Sequence, residues 1–176
     1  MTSTSAANAE WYLFGAQAAI IHGAARLTAD VDVTVRLVPG ATTASLVSAL
    51  ERQGFRPRFT DQAFIDRTRV VPFVHLATSM PVDAVLAGPG LEDLFFTRAA
   101  IRDVDGVSIP VASAEDVIVM KVLAGRGKDG DDVTAILDAQ REGLDLRYVR
   151  DTLRALEDAL GQSDLLDAFE LMARRD

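Results

Sequence analysis

Cysteine is absent from this 176-residue chain, which excludes disulfides and thiolate zinc sites and agrees with a reducing, cytoplasmic setting. Histidine is nearly absent. His22 and His75 stand far apart without metal-ligand spacing, so each reads as a packed or surface side chain and a His-based centre is not the expected chemistry. No apolar run approaches the roughly 20 residues that cross a bilayer. Residues 1–10, MTSTSAANAE, have neither a basic start nor an apolar centre; they predict a disordered polar tail over 1–9 and not a signal peptide. Basic charge is also scarce, with 18 Lys and Arg against 26 Asp and Glu and a net charge of −8. Proteins that grip long nucleic acids usually present a basic surface, so the bulk balance argues against that class of partner. The acid is concentrated after residue 113, and any polyanionic acceptor is expected to meet the N-terminal part. Internal repeats and low-complexity tracts are missing as well.

What is present suits one compact domain, with 49% hydrophobic residues and 25% charged. Helical and strand patterns alternate up to about residue 112, predicting an α/β fold with a mixed sheet flanked by helices over 10–112. Strands are expected at 11–14, 55–59, 70–76, 82–86 and 107–111, the last an edge because of Pro110. Helices are expected at 16–22, 42–53 and 91–99, with 61–67 a polar connection. From Ser113 onward the pattern is wholly helical, predicting a helical C-terminal region over 113–176 packed on the core. Its last two helices, at 145–160 and 163–173, carry leucine at helical spacing, a face for packing, for a homodimer or for a partner protein.

The candidate chemistry lies in the run RLTADVDV. Side chains alternate on a strand, so Asp30, Asp32 and Thr34 share one face while Val31, Val33 and Val35 point into a core. The two aspartates, with Cα atoms about 6.6 Å apart, are placed to lean onto one or two hard cations such as Mg²⁺ or Mn²⁺. Asp83, inside the apolar run PVDAVLAG, is the candidate third acid, supplied by a neighbouring strand and converging on the same ions. The plainer alternative for a single aspartate is a solvated strand end.

Four motifs together resemble the nucleotidyltransferase superfamily, the polymerase-β-like fold, and within it small proteins related to AbiEii-type toxins of toxin–antitoxin systems. They are GAQAAIIHG, RLTADVDV, VDAVL and AEDVIVMKVLAGRGKDGDD. The resemblance implies transfer of a nucleoside monophosphate from a nucleoside triphosphate to an acceptor hydroxyl on an RNA end, a protein or a small molecule. Asp30, Asp32 and Asp83 would be the catalytic metal ligands. Such chemistry needs positioning and charge neutralisation rather than a protein nucleophile. Gly15 permits a tight turn, and the first helical amides, at Ala16 and Gln17, would hold phosphate; relatives carry Ser or Gly where this chain has Ala16. The alternative is a glycine that only lets strand and helix pack.

Lys121 lies inside an apolar helix, where snorkelling is the plain reading. The resemblance places it, with Arg126 and Lys128, as cations reaching towards phosphates or acidic ligands, and adds Arg26 and Thr28 as triphosphate contacts or as groups fixing the carboxylates. Asp129, Asp131 and Asp132 read as caps of the following helix. Five arginines between positions 52 and 69 face only Asp61 and Asp66. Arg56 with Arg58, and Arg67 with Arg69, are spaced to share strand faces as an acceptor-binding patch, or else to protect a solvated edge. A non-catalytic nucleotidyltransferase-fold module acting with a protein partner is the rival reading, favoured by Ala16 and the acidic charge.

Overall fold

The computed structural model describes residues 9–174. In chain order it contains β1 (Ala9–Phe14), α1 (Gly15–Ile21), β2 (Val31–Leu37), α2 (Thr43–Glu51), β3 (Phe55–Pro57), α3 (Gln62–Thr68), β4 (Val70–His75) and β5 (Met80–Leu86). There follow α4 (Leu91–Arg98), β6 (Ala100–Val104), β7 (Val107–Val111), α5 (Ala114–Ala124), α6 (Gly127–Gln140), α7 (Leu146–Leu160) and α8 (Leu165–Ala173). The chain divides into a sheet unit, built from the segment up to Phe14 with Thr28–Ala112, and a helical unit, built from Gly15–Leu27 with the segment from Ser113 onward. The polar tail expected over 1–9 lies outside the described residues except for Ala9, the first residue of β1. Helix α1, expected in the core over 10–112, groups with the C-terminal helices.

The sheet has seven strands in the order β3-β4-β5-β2-β1-β7-β6. It is mixed: β2 runs antiparallel to β1 and parallel to β5, while β3, β4 and β5 form an antiparallel meander. Alternation along β2 sends Val33 and Val35 to one face, where Leu46 and Ala49 of α2 and Ile65 of α3 close a core with Val71, Phe73 and Ala84. Thr42 caps α2 through its hydroxyl, which accepts from Ser45 N at 3.1 Å. On β1 the Tyr12 ring meets Phe96 of α4 edge-on at 4.7 Å, and Arg36 of β2 bonds Glu10 at 2.6 Å and Asp93 at 3.1 Å.

Three elements differ from expectation. The connection read at 61–67 is helix α3. Asp61 caps it, accepting from Ala63 N at 2.9 Å, and Arg69 ends it in the left-handed region at φ 59°. Arg67 and Arg69 therefore stand on a helix and its C-cap, not on a strand. Strand β7 is not the edge, because β6 pairs along its outer side. Pro110 is tolerated since its missing N–H would point, like that of Ala112, towards β1, and that ladder is reduced to the single pair Leu13 and Val111. Strand β6 itself escapes sequence reading because two of its five residues, Arg102 and Asp103, are charged.

In the helical unit, α5 is the central helix. Ser113 caps it, accepting from Asp116 N at 3.1 Å, Gly125 closes it in the left-handed region, and Ala114, Val117, Ile118, Val119 and Val122 are all buried. Helices α1, α6, α7 and α8 pack around it. Gly23, just past α1, has φ +120°, and a Cβ there would sit 2.4 Å from Ala139 Cβ of α6. His22 is buried, its carbonyl accepting from Gln140 Nε2 at 2.8 Å.

Candidate functional site

Parallel pairing of β2 with β5 puts Asp32 directly beside Asp83, as it puts Val31 beside Val82. Residues opposite one another on neighbouring strands point to the same face, and strands lie about 4.8 Å apart, so both carboxylates project together. The same rung continues to Phe14 on β1 and to Pro72 on β4. The faces are thereby sorted: Val31, Val33 and Val82 line an apolar cavity of about 500 Å³, and the acids stand on the other face of the sheet. Asp30 comes just before β2 and is exposed; the Thr28 hydroxyl donates to its carboxylate at 2.5 Å.

Asp83 already has a cation. Arg58, the residue after β3, anchors its backbone N–H on the Pro72 carbonyl at 2.8 Å and donates from its guanidinium to the Asp83 carboxylate. The side chain thus crosses β4 at the proline to reach β5. Among the described residues, no group of three or more His, Asp or Glu side chains is gathered as metal ligands would be. The backbone brings Asp32 and Asp83 together; the side chains of Asp30 and Asp83 are turned to Thr28 and Arg58.

The expected arginine patch is split. Arg56 lies exposed on β3 and Arg58 is bonded to Asp83. Arg67 belongs to α3, and Arg69 lays its guanidinium over Gly88, where a Cβ would meet Nη1 at 2.1 Å. Arg69 stands at the far end of β5 from the acid, since its carbonyl accepts from Leu86 N at 2.7 Å. A helical C-cap in place of the expected strand start is the cause of the split.

In the helical unit the cations find carboxylates. Lys121 Nζ, 4% exposed as a residue, donates to Asp129 at 2.9 Å and Asp132 at 2.6 Å. Arg126 bonds Asp129 at 2.6 Å and Arg26 bonds Asp132 at 2.8 Å. Asp129 also caps α6 weakly, accepting from Arg126 N at 3.3 Å. Burial alone would raise the Asp129 carboxyl, but hydrogen bonds and charge from Arg126 and Lys121 outweigh it and hold it below the ordinary range. Lys128 is exposed, Gly15 opens α1 with φ 67°, and Ala16 is one of three buried alanines on that helix. The signal for the buried network was present in the chain: two aspartates, eight and eleven residues after a lysine whose helical neighbours are all apolar.

No protein-family model matches the chain, and no curated protein does. Solved structures do. An antigenic nucleotidyltransferase-like protein from Paracoccidioides brasiliensis is similar with a TM-score of 0.55 at 16% identity, over 93% of this chain and 85% of that one. The antibiotic-resistance factor ANT(2'')-Ia in solution gives 0.57 at 16%, over 89% and 90% of the two chains. Its crystal structure in complex with adenylyl-2''-tobramycin gives 0.55 at 16%, over 88% and 92%. These likenesses establish the fold: the chain has the nucleotidyltransferase-like architecture, a mixed seven-stranded sheet with eight α-helices among the described residues.

Proposed function

We propose that the protein is a metal-dependent nucleotidyltransferase, moving a nucleoside monophosphate from a nucleoside triphosphate to an acceptor hydroxyl with loss of pyrophosphate. The observation that carries this reading is the in-register pair Asp32 and Asp83 on parallel strands, with Asp30 two residues ahead. An all-carboxylate donor set fits a hard divalent cation, Mg²⁺ or Mn²⁺. Such an ion, when bound, neutralises phosphate charge and holds the reacting oxygens in line. Asp30 and Asp32 would hold both ions; Asp83 would hold one and orient the acceptor hydroxyl. Thr28 fixes the Asp30 carboxylate. Gly15, Ala16, Gln17 and Lys128 are the candidate phosphate contacts; Lys121, Arg126 and Arg26, expected to contact triphosphate or to fix the metal-binding acids, are instead bonded to Asp129 and Asp132.

A small-molecule hydroxyl is the acceptor class to test first. ANT(2'')-Ia is seen with adenylyl-2''-tobramycin, and a net charge of −8 does not favour a long polyanion. An RNA end or a protein hydroxyl, as for a toxin-like member of a toxin–antitoxin pair, is read by the same assay. That assay offers each α-labelled nucleoside triphosphate with Mg²⁺ or Mn²⁺ to aminoglycosides, total RNA and cell lysate. Label should transfer to one class, and Asp32→Asn should abolish transfer while the circular dichroism stays native; unchanged transfer in that variant refutes the mechanism.

The second reading, a non-catalytic module acting with a partner, draws support from Arg58 on Asp83 and from the exposed Leu160 and Leu171 of α7 and α8. It predicts no transfer to any acceptor and a melting temperature indifferent to millimolar Mn²⁺. Among the described residues no helix is long and apolar enough to cross a membrane.

A further inference from the structure

Like charges directly opposite one another on neighbouring strands are unfavourable, and Asp32 beside Asp83 is such a pair. The chain meets this with its own cation. Arg58 is held by its backbone to the Pro72 carbonyl at 2.8 Å, so the root of the side chain is fixed and only its outer part swings. Pro72 is buried on the same rung as Asp83 and carries no long side chain to obstruct the crossing. Arg58 is itself 39% exposed and Asp83 30%, which leaves the guanidinium free to leave for water without unfolding anything.

We propose that Arg58 is a resident counter-ion of the acid pair, which must leave Asp83 before a divalent cation is held there and so sets the threshold for metal binding. The inference rests on the acid-site reading above. Arg58 acts here as a positioning residue, because it touches the carboxylate and not the reacting atoms. The guanidinium binds a carboxylate oxygen, the same donor a metal would use, so the two cations compete for one ligand. Once displaced, the guanidinium stands beside the site with its charge uncompensated and is then suited to an entering phosphate. Metal and nucleoside triphosphate would each lower the barrier to the other, and neither would be held tightly alone.

The test measures Mn²⁺ binding by calorimetry and by loss of the free-ion paramagnetic resonance signal, without nucleotide, so that turnover plays no part. Arg58→Gln should bind Mn²⁺ about fivefold to tenfold more tightly than the unaltered chain, the scale of one half-exposed charge pair plus the repulsion removed from a dication. Arg58→Lys, which keeps the charge, should stay within about twofold. Asp32→Asn and Asp83→Asn, each with Arg58 retained, should weaken Mn²⁺ binding. The backbone anchor survives any of these substitutions, and Arg58→Met serves as a second neutral variant. If Asp83→Asn weakens Mn²⁺ while neither neutral variant tightens it, the counter-ion role is overturned and the acid site stands. If Mn²⁺ binding is indifferent to Asp32→Asn and Asp83→Asn, the acid site falls and the role of Arg58 falls with it.

Discussion

Replacing Lys121 with methionine isolates what the buried charge of the helical unit contributes. The substitution keeps the length of the stem and removes the ammonium that bridges Asp129 at 2.9 Å and Asp132 at 2.6 Å. Breaking a buried ion pair by deleting one partner costs roughly 3–5 kcal/mol, because it strands the other charge. Here Arg126 remains on Asp129 and Arg26 on Asp132, so the cost should fall at the lower end, about 3 kcal/mol. At roughly 2–4 °C per kcal/mol for a chain of this size, the melting temperature should drop by about 6–12 °C. Urea titration followed by far-ultraviolet circular dichroism gives the free energy directly. The pH dependence supplies a second constraint. A carboxyl held below its ordinary value contributes stability that is present above the unfolded value, about 3.9, and is lost as pH falls through the folded one. Asp129 is such a group, so the penalty of Lys121→Met should be full at neutral pH and shrink in acid. A penalty under about 1 kcal/mol at neutral pH refutes a structural role, and one undiminished in acid refutes its ion-pair origin. Unchanged stability with lost nucleotide affinity would return Lys121 to phosphate contact.

Two further substitutions probe the helical unit. Gly23→Ala combines a positive φ with a Cβ placed 2.4 Å from Ala139 Cβ and should destabilise by about 2–4 kcal/mol in the same titration; a change under about 1 kcal/mol would mean that α6 gives way at that point. Tyr148→Phe removes the hydroxyl that donates to buried Asp116 at 2.6 Å and should cost about 1.5–3 kcal/mol, with a near-neutral result assigning that carboxylate other sufficient donors.

The strand that bears Asp30 and Asp32 could be read from the chain because Val31, Val33 and Val35 impose a period of two around the acids, and VDAVL does the same for Asp83. Their mutual register could not. Which residue of β5 lies beside Asp32 depends on how a crossover of more than forty residues delivers the strand, and no local preference encodes that. Arg58 was legible as one of an arginine group, read as an acceptor-binding patch or a solvated edge, but not as the partner of Asp83, since that contact needs β3, β4 and β5 assembled and a proline at the crossing point. Helix α3 was hidden because its apolar content is essentially Phe64 and Ile65, although the Asp61 cap was there to be seen. Lys121 posed the hardest choice. An isolated lysine in an apolar helix suggests either snorkelling or chemistry, and the deciding fact is that the turn at Gly125 folds α6 back so that Asp129 and Asp132 return to it.

The helical unit is discontinuous: α1 lies near the start of the chain and packs on α5 and α6. During synthesis, α1 leaves the ribosome about ninety residues before α5 begins. At cellular elongation rates of about 5–20 residues per second, that interval is roughly 5–20 s. For all of it the apolar alanine face of α1 has no native helical partner, and a seven-residue helix is too short to persist alone. Completion of this unit is therefore a late event in synthesis. A chain cut after residue 112 would carry the whole sheet and would still present an orphaned helical segment to the cell's chaperones and proteases.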